Sequence, residues 1–229
     1  MVPIIVNESV HTPWKQRRKR ETRFAEKRGA VLAAAARLFN QKGFDNTPLS
    51  DLADALNVTK PTLYYYVKSK DELLLEITRV GQAAYLDALD QANRDGSTGI
   101  EKLELFINGY IGSNCTDFGR VVVKTGRQAL SAKNQKKMDA EYRKLDTLLR
   151  NVIKEGIEDG TIAEVDPKMA TFLLFGAMNW IAYWYQEDGP LSPQEIAGQF
   201  ISILSQGFAA RAKRTTTAKK RSRKSPSPA

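Results

Sequence analysis

The sequence is poor in the residues that most catalytic and metal sites require. Its 229 residues include one cysteine, Cys115, and one histidine, His11. A single cysteine excludes an internal disulfide and a zinc site built from cysteines, and this pair of residues supplies no nucleophile with a base beside it. No glycine-rich phosphate-binding loop is present. We therefore expect a protein that is not an enzyme and that uses no metal or cofactor.

Long hydrophobic runs are also missing. No stretch approaches the roughly 18 consecutive apolar residues of a membrane-spanning helix. The apolar run at residues 2–6 is too short for the core of a signal peptide, and basic residues follow it rather than precede it. These features predict a soluble, cytoplasmic protein with no membrane partner.

Acidic residues are scarce near the two ends of the chain. Residues 15–28 contain eight Lys or Arg and two Glu, and residues 211–229 contain eight Lys or Arg and no acid. The net charge of +9 favours an anionic partner, either nucleic acid or an anionic membrane surface. Two interpretations of the tail remain open: it adds non-specific DNA affinity through counterion release, or it is a solubilising end.

Helical periodicity dominates the chain, and alternating strand patterns are almost absent. The apolar spacing predicts an all-α fold of about nine helices, the first running from Thr22 to Gln41. Thr47 before Pro48 predicts a side-chain cap for the second helix, and Thr59 predicts one for the third. Capping boxes are predicted at residues 69–72 and 192–195. Residues 1–20 are expected to form a flexible arm and residues 211–229 a disordered tail.

The stretch TKPTLYYYVKSKDELL, residues 59–74, places three tyrosines in a row. In a helix, Leu63, Tyr66 and Val67 share the inward face at spacings of three and four residues. The tight turn before this helix contains Asn57, which tolerates a left-handed backbone, and we expect Val58 to plug the turn. The spacing predicts a helix-turn-helix, in which the second helix enters the major groove of DNA.

The outward face of this second helix combines hydroxyl groups, aromatic rings and positive charge. Tyrosine and threonine can donate to phosphate oxygens or contact base edges and thymine methyls, and lysine can contact phosphate or guanine. Lys68 and Lys70 lie at the start of the next helix, and a helix N-terminus already favours an anion such as a phosphate. The predicted DNA-binding residues are Thr47, Thr59, Lys60, Pro61, Thr62, Tyr64, Tyr65, Lys68 and Lys70.

The segment AAARLFNQKGFDNTPLSDLADALNVTKPTLYYYVKSKDELL, residues 34–74, resembles the DNA-binding domain of the TetR/AcrR transcriptional regulators. The resemblance extends over about residues 24–84. Two positions depart from the usual pattern of the family, with Asn57 in place of glycine and Val67 in place of phenylalanine. The resemblance implies a DNA-binding domain at residues 21–84, with its helix-turn-helix at 48–67, followed by a helical ligand-binding and dimerisation domain at 85–210.

The C-terminal half is similar to the branch of the family that often responds to acyl-CoA or other hydrophobic ligands, in the segment from Gly176 to Phe208. The resemblance implies a homodimer formed through the last two helices. An aromatic stripe in this region indicates core or dimer interface more than a pocket; its members are Phe172, Phe175, Trp180, Tyr183 and Trp184. The candidate pocket residues are Tyr85, Phe106, Tyr110, Phe118, Met178, Asn179 and Tyr183.

Two functional hypotheses follow. In the first, the protein is a nucleoid-associated repressor that binds a palindromic operator in double-stranded DNA and is released by a small-molecule effector. In the second, it is an architectural DNA-binding protein that uses its polybasic ends and has no ligand. A salt titration separates the two hypotheses, because an architectural protein bound through its polybasic ends should have equal affinities for operator and random DNA.

Overall fold

The computed structural model describes residues 13–207, with side chains from residue 21 onward. Within this range the chain forms nine α-helices and no strand, as predicted. A short 3₁₀ helix, Arg127–Ala129, follows the sixth helix. The α-helices are α1 (Pro13–Lys42), α2 (Leu49–Ala55), α3 (Lys60–Tyr66), α4 (Lys70–Asp95), α5 (Gly99–Asn114), α6 (Asp117–Lys124), α7 (Ala132–Glu158), α8 (Pro167–Trp184) and α9 (Pro193–Gln206).

The first helix begins earlier than predicted, at Pro13 rather than Thr22. Residues 13–20 are therefore not part of a flexible arm. Proline suits the first turn of a helix because no N–H is needed there, and the Lys, Arg, Gln and Glu residues that follow are strong helix formers. Residues 1–12 of the predicted arm, and the whole predicted tail at 211–229, lie outside the described residues.

Side-chain caps begin several helices as predicted. The Thr59 hydroxyl accepts a 3.4 Å hydrogen bond from the Thr62 N–H at the start of α3. Ser192 and Glu195 form the full reciprocal box at α9. At α4, Ser69 accepts from the Glu72 N–H, which is one half of the predicted box.

The predicted cap of α2 is wrong. Pro48, not Thr47, occupies the cap position, and no side chain there bonds the helix N–H groups. Thr47 is only 2 % exposed, and its hydroxyl donates a 2.7 Å hydrogen bond to the Gly43 carbonyl. Gly43 adopts φ +84°, a left-handed conformation that suits glycine and ends α1. The hydroxyl therefore secures the end of α1 instead of the start of α2.

The first hydrophobic core joins α1, α2 and α3 to the start of α4. Phe39, Leu52 and Leu63 are buried at its centre, one from each of the first three helices. Val121 of α6 and Met138 of α7 also pack in this core, although both lie far beyond residue 84. The N-terminal helices are therefore supported by the helices that follow, and the core does not end at the predicted domain boundary.

The second core lies among α4, α5, α7, α8 and α9, and Val122 of α6 also belongs to it. The segment from Asp117 to Leu130, predicted as one helix with glycine interruptions, is divided: α6 ends at Lys124, and Gly126 turns the chain with φ +49°. No helix within residues 13–207 has the length and apolarity needed to cross a membrane.

Candidate DNA interface and ligand cavity

The turn between α2 and α3 has the geometry that the sequence predicted. Asn57 adopts φ 52°, the left-handed conformation that asparagine tolerates. The Val58 N–H then donates a 2.9 Å hydrogen bond to the Ala53 carbonyl, closing the turn. Ala53 is buried, and its small side chain lets the two helices approach. The prediction that Val58 plugs the turn is wrong, because its side chain is 36 % exposed and its backbone closes the turn instead.

The exposed side of α3 is the candidate DNA-recognition face. Leu63 and Val67 are buried beneath it and fix the rotation of the helix. Tyr64 and Tyr65 are 52 % and 63 % exposed, whereas Tyr66 is half-buried. All five side chains predicted for this face are exposed: Lys60, Pro61, Thr62, Tyr64 and Tyr65.

Two threonine hydroxyls are organised at the start of this face. The Oγ1 atoms of Thr59 and Thr62 lie 2.9 Å apart and share a hydrogen bond. Thr59 also accepts from the Thr62 backbone, so its oxygen serves mainly as the helix cap. Both residues are exposed, so the Thr62 side chain is accessible at the surface.

An aromatic cluster that the sequence analysis missed supports the other end of the face. The ring centroid of Phe24 in α1 lies 5.5 Å from that of Tyr65 and 5.2 Å from that of Tyr66. The two tyrosine rings contact each other edge to face at 5.1 Å. Tyr65 is therefore held from one side by α1, and Tyr64 is the less constrained of the two exposed tyrosines. Phe24 lies seven residues before Val31 and eleven before Ala35, on the same face of α1 as these buried residues. That spacing was the signal from which the contact could have been predicted.

The flanking residues differ in how free they are to contact DNA. Thr47 is buried and cannot present its side chain, so the predicted DNA contact through that side chain is wrong. Lys68 is exposed. Lys70 is held against the α1–α2 loop, where its Nζ donates to the Asp45 carbonyl at 3.2 Å and lies 4.4 Å from the Phe44 ring centroid. Lys70 therefore links α4 to that loop in addition to any phosphate contact.

A cavity of about 270 Å³ lies among α4, α5, α6, α7 and α8. Of the seven predicted pocket residues, Tyr110 and Asn179 line it. Its other lining residues are Gln82, Val122, Val123, Tyr142, Leu145, Asp146 and Phe175.

The other five predicted pocket residues do not line this cavity. Tyr85 and Phe106 are fully buried in the second core, while Phe118 packs against the first core. Met178 lines a separate apolar cavity of about 250 Å³ among α5, α8 and α9. Tyr183 is 52 % exposed and stacks on Trp180, with ring centroids 5.2 Å apart. Tyr183 lines neither cavity.

Phenol groups connect the walls of the 270 Å³ cavity. The Tyr110 hydroxyl donates a 2.8 Å hydrogen bond to Asn179 Oδ1, so the polar side chain of Asn179, on the mainly apolar α8, has a partner. Behind it, Tyr85 stacks on Tyr110 at 4.2 Å and donates to Asn114, whose amide donates to the Met178 carbonyl at 3.0 Å. Burial raises the pKa of both phenols, so they remain neutral hydrogen-bonding groups.

Gln82 supplies an unpartnered acceptor to the cavity. The residue is 2 % exposed, and its Oε1 has no hydrogen-bond partner among the described residues. Burial raises the pKa of Tyr142, and a hydrogen bond from Gln82 opposes that rise. The sequence analysis did not select Gln82 or Tyr142 as pocket residues. Each is a polar residue among the charged and apolar residues of its helix, so its type alone gave no signal. A buried acceptor of this kind suits a ligand hydroxyl or amide N–H.

An exposed apolar stripe lies along α8, opposite its buried face. Leu173 is 66 % exposed and Trp180 is 63 % exposed. Ile203 and Leu204 extend the apolar surface onto α9. Such a surface typically marks an interaction site. Phe175 is half-buried against the second core, whereas the other members of the aromatic stripe that the sequence indicated are exposed; these are Phe172, Trp180, Tyr183 and Trp184.

Comparison with known proteins identifies both halves of this architecture. The family model "Bacterial regulatory proteins, tetR family" matches residues 31–77, and the model "Tetracyclin repressor-like, C-terminal domain" matches residues 96–208. The HTH-type transcriptional repressor KstR2 of Mycolicibacterium smegmatis is 24 % identical over 190 residues, covering 80 % of this chain and 91 % of that protein.

Solved structures show the same arrangement of helices. The TetR family regulator PfmR from Thermus thermophilus is 29 % identical, with a TM-score of 0.73 over 79 % of this chain and 99 % of its own. AibR, crystallised with isovaleryl coenzyme A and operator DNA, is 24 % identical, with a TM-score of 0.70 over 77 % of this chain and 97 % of its own. The likeness to AibR is one of fold.

Proposed function

The chain belongs to the TetR family of bacterial regulatory proteins, and from that premise we propose that it is a repressor that binds a palindromic operator as a homodimer. A small hydrophobic or acyl-CoA-like ligand releases it. The observation that supports this proposal most strongly is the exposed face of α3, which presents Thr62, Tyr64 and Lys60 above the buried Leu63 and Val67. Base edges are read by side chains on such a helix in the major groove.

Dimerisation through α8 and α9 is supported by their exposed apolar side chains. Leu173 and Trp180 are too exposed to stabilise the single chain, and burying them against a second copy removes apolar surface from water. Added Cβ atoms at Gly176 on α8 and Gly198 on α9 would meet no neighbour among the described residues. These glycines allow close approach of partner helices. Two-fold symmetry then places the two copies of α3 in successive major grooves, roughly 34–36 Å apart.

The 270 Å³ cavity is the proposed effector site. Its volume lies just below the roughly 300–1,000 Å³ range of small-molecule pockets, which favours a short acyl group over a long chain. Val122, Leu145 and Phe175 provide apolar contacts, and Gln82 and Asn179 provide polar ones. The ligand can release DNA only if it binds the DNA-free arrangement more tightly than the DNA-bound one. The complex of AibR with isovaleryl coenzyme A makes that thioester a suitable first probe.

Protection mapping tests the proposal. The full chain is incubated with DNA from upstream of its own gene and the neighbouring genes, and the protected bases are located. A protected palindrome with two half-sites about one helical turn apart supports the proposal. Equal affinity for this DNA and for random DNA over a salt titration would favour the architectural hypothesis instead.

A further inference from the structure

Two cations lie one turn apart on α6, at the side that faces the C-terminal end of α8. Arg120 is half-buried, and its Nη2 donates a 3.2 Å hydrogen bond to the Tyr185 carbonyl. Its guanidinium carbon lies 5.3 Å from the Tyr185 ring centroid. Lys124 is exposed, with its Nζ 5.8 Å from the Tyr183 ring centroid. Both positive charges therefore lie over aromatic rings.

Neither cation has a carboxylate partner among the described residues. The ion pairs of this part of the chain use other cations, for example Arg127 with Asp139 at 2.6 Å and Arg150 with Asp146 at 2.7 Å. The buried Nε of Arg120 has no hydrogen-bond partner within residues 21–207. Burial lowers the pKa of Lys124, and the charge of Arg120 lowers it further. The two charges repel each other, and an anion between them would relieve that repulsion.

The pair borders the proposed effector cavity. Val123 lines the cavity and lies between the two cations in the sequence, three residues after Arg120 and thus on the same side of α6. Asn179 also lines the cavity, and Tyr183, beneath Lys124, follows it by one turn of α8. The cavity and the cation pair therefore adjoin along the α6–α8 contact.

Among the described residues, one carboxylate and no cation line the cavity. The Asp146 carboxylate lines the cavity and is paired with Arg150. A second anion within the cavity would be repelled by Asp146, while the neutral acceptor of Gln82 and the phenol of Tyr110 suit uncharged groups. The favourable place for a ligand anion is therefore outside the cavity, at the α6–α8 edge.

We propose that Arg120 and Lys124 bind an anionic group of the effector, a phosphate or a carboxylate, while its short uncharged part occupies the 270 Å³ cavity. This inference rests on the proposed function, since it names the chemistry of the same ligand. Arg120 has a structural task as well, because it satisfies a carbonyl at the end of α8. That task uses one N–H of Nη2, and no hydrogen bond or ion pair among the described residues engages Lys124. A charge-assisted contact of this kind is about twice as strong as a neutral hydrogen bond.

The test compares ligands that share an acyl group and differ in charge. Calorimetry measures the binding of isovaleryl coenzyme A, isovalerate and the neutral thioester S-isovaleryl-N-acetylcysteamine to the full chain. We expect at least one of the two anions to bind about tenfold or more tightly than the neutral thioester. Tighter binding of isovaleryl coenzyme A would indicate that the cations bind a phosphate, and tighter binding of isovalerate would indicate that they bind a carboxylate. Arg120→Gln and Lys124→Gln should each reduce that preference by about fivefold or more, with the neutral thioester changed less than about twofold.

Lys136→Gln is the matched control, because Lys136 is an exposed lysine on α7 outside the cavity. It should leave all three affinities unchanged. The inference is overturned if the Arg120→Gln/Lys124→Gln variant keeps the wild-type preference, or if the wild type binds neither anion better than the neutral thioester. Loss of the dimer in the double variant, seen by sedimentation, would also overturn it by assigning the cations to the subunit interface.

The same samples separate this inference from the proposed function. Neither residue lies on α2 or α3, so the variants should keep wild-type affinity for the protected operator. If wild-type protein does not prefer operator over random DNA, the proposed function fails whatever the ligand titrations give. If it prefers the operator but shows no anion preference, only the inference about Arg120 and Lys124 fails.

Discussion

The side-chain amide of Asn40 donates two hydrogen bonds to Asp117, one to its backbone carbonyl at 2.9 Å and one to its Oδ1 at 3.2 Å. Arg37 adds an ion pair to the same carboxylate at 3.5 Å. Asn40 lies near the end of α1, which packs against α2 and α3, whereas Asp117 begins α6, which carries the cavity residues Val122 and Val123. The cavity wall is thus joined directly to the helix behind the candidate DNA-recognition face.

Removing this link should weaken communication between the cavity and DNA. Asn40→Ala is expected to leave operator affinity nearly unchanged and to reduce the effect of isovaleryl coenzyme A on that affinity by about three- to tenfold, within the usual 1–3 kcal/mol of allosteric coupling. Fluorescence anisotropy with labelled operator, with and without ligand, measures both quantities.

Asn108→Ala is the control for this variant. Asn108 is exposed, and its amide bonds only the Glu104 carbonyl of its own helix, at 2.9 Å. The control should keep the full ligand effect. A full ligand effect in Asn40→Ala as well would show that coupling runs through other contacts.

Two glycines of α5 are expected to respond to alanine in opposite directions. A Cβ on Gly99 would lie 2.2 Å from Gly156 Cα of α7, so Gly99→Ala forces the two helices apart at a cost of about 1–3 kcal/mol. A Cβ on Gly112 would meet no neighbouring atom within 4 Å in the described part of the chain. Gly112→Ala should therefore stabilise by about 0.5–1 kcal/mol through helix propensity. Urea unfolding measures both changes, and effects of the same sign would count against the packing described for α5 and α7.

The stability should fall in acid partly through Asp71. Burial disfavours its charged form, but hydrogen bonds from Ser131 and Asn134 and the charge of Lys137 outweigh burial, so its pKa lies below the ordinary 3.8. A folded pKa below the unfolded one contributes stability that is present above about pH 4 and is lost as pH falls through the folded pKa. Asp71→Asn should therefore destabilise at neutral pH and approach wild-type stability in acid.

Unfolding curves at about pH 7 and about pH 3 check this expectation. Asp90→Asn, at an exposed position of the same helix, provides the control. An equal loss of stability in Asp71→Asn at both pH values would exclude the ionic contribution of these hydrogen bonds.

The proposed dimer predicts that a charge on the exposed stripe of α8 produces monomers. Leu173 is 66 % exposed, so Leu173→Arg should not disturb the fold of a single chain but would bury an unpaired charge in the dimer. Leu105 on α5 is 41 % exposed and lies outside this stripe, so Leu105→Arg should remain dimeric. Sedimentation velocity distinguishes the two species. A dimeric Leu173→Arg variant would place the interface elsewhere.

The sequence was sufficient for the helical class and for the orientation of α3, because both depend on local signals. Thr59 marks the start of α3 with its cap, and the spacing of Leu63 and Val67 defines its buried side. Local rules failed where tertiary contacts decide. Thr47 has the composition of a helix cap, yet its hydroxyl is used at the end of α1. Tyr183 was a candidate pocket residue, yet it lines neither cavity, and its position beneath Lys124 depends on how α6 packs against α8.

The cavity was only partly predictable for the same reason. Tyr110 and Asn179 were two of the seven candidate pocket residues, and the structure joins them by a hydrogen bond. Gln82 gave no comparable signal, because its buried, unpartnered acceptor arises only when α4, α6 and α7 come together. The cation pair at Arg120 and Lys124 likewise becomes distinctive only when the structure shows no carboxylate beside it within residues 21–207.

The most direct test of the recognition face is the DNA affinity of a Thr62→Ala/Tyr64→Ala variant. Both side chains are exposed, so the variant should fold and dimerise as the wild type does. Its affinity for the protected operator should fall by about tenfold or more, since a base contact is worth about 1–3 kcal/mol, while its affinity for random DNA stays within about twofold. Unchanged operator affinity in this variant would contradict the assignment of α3 as the helix that reads DNA.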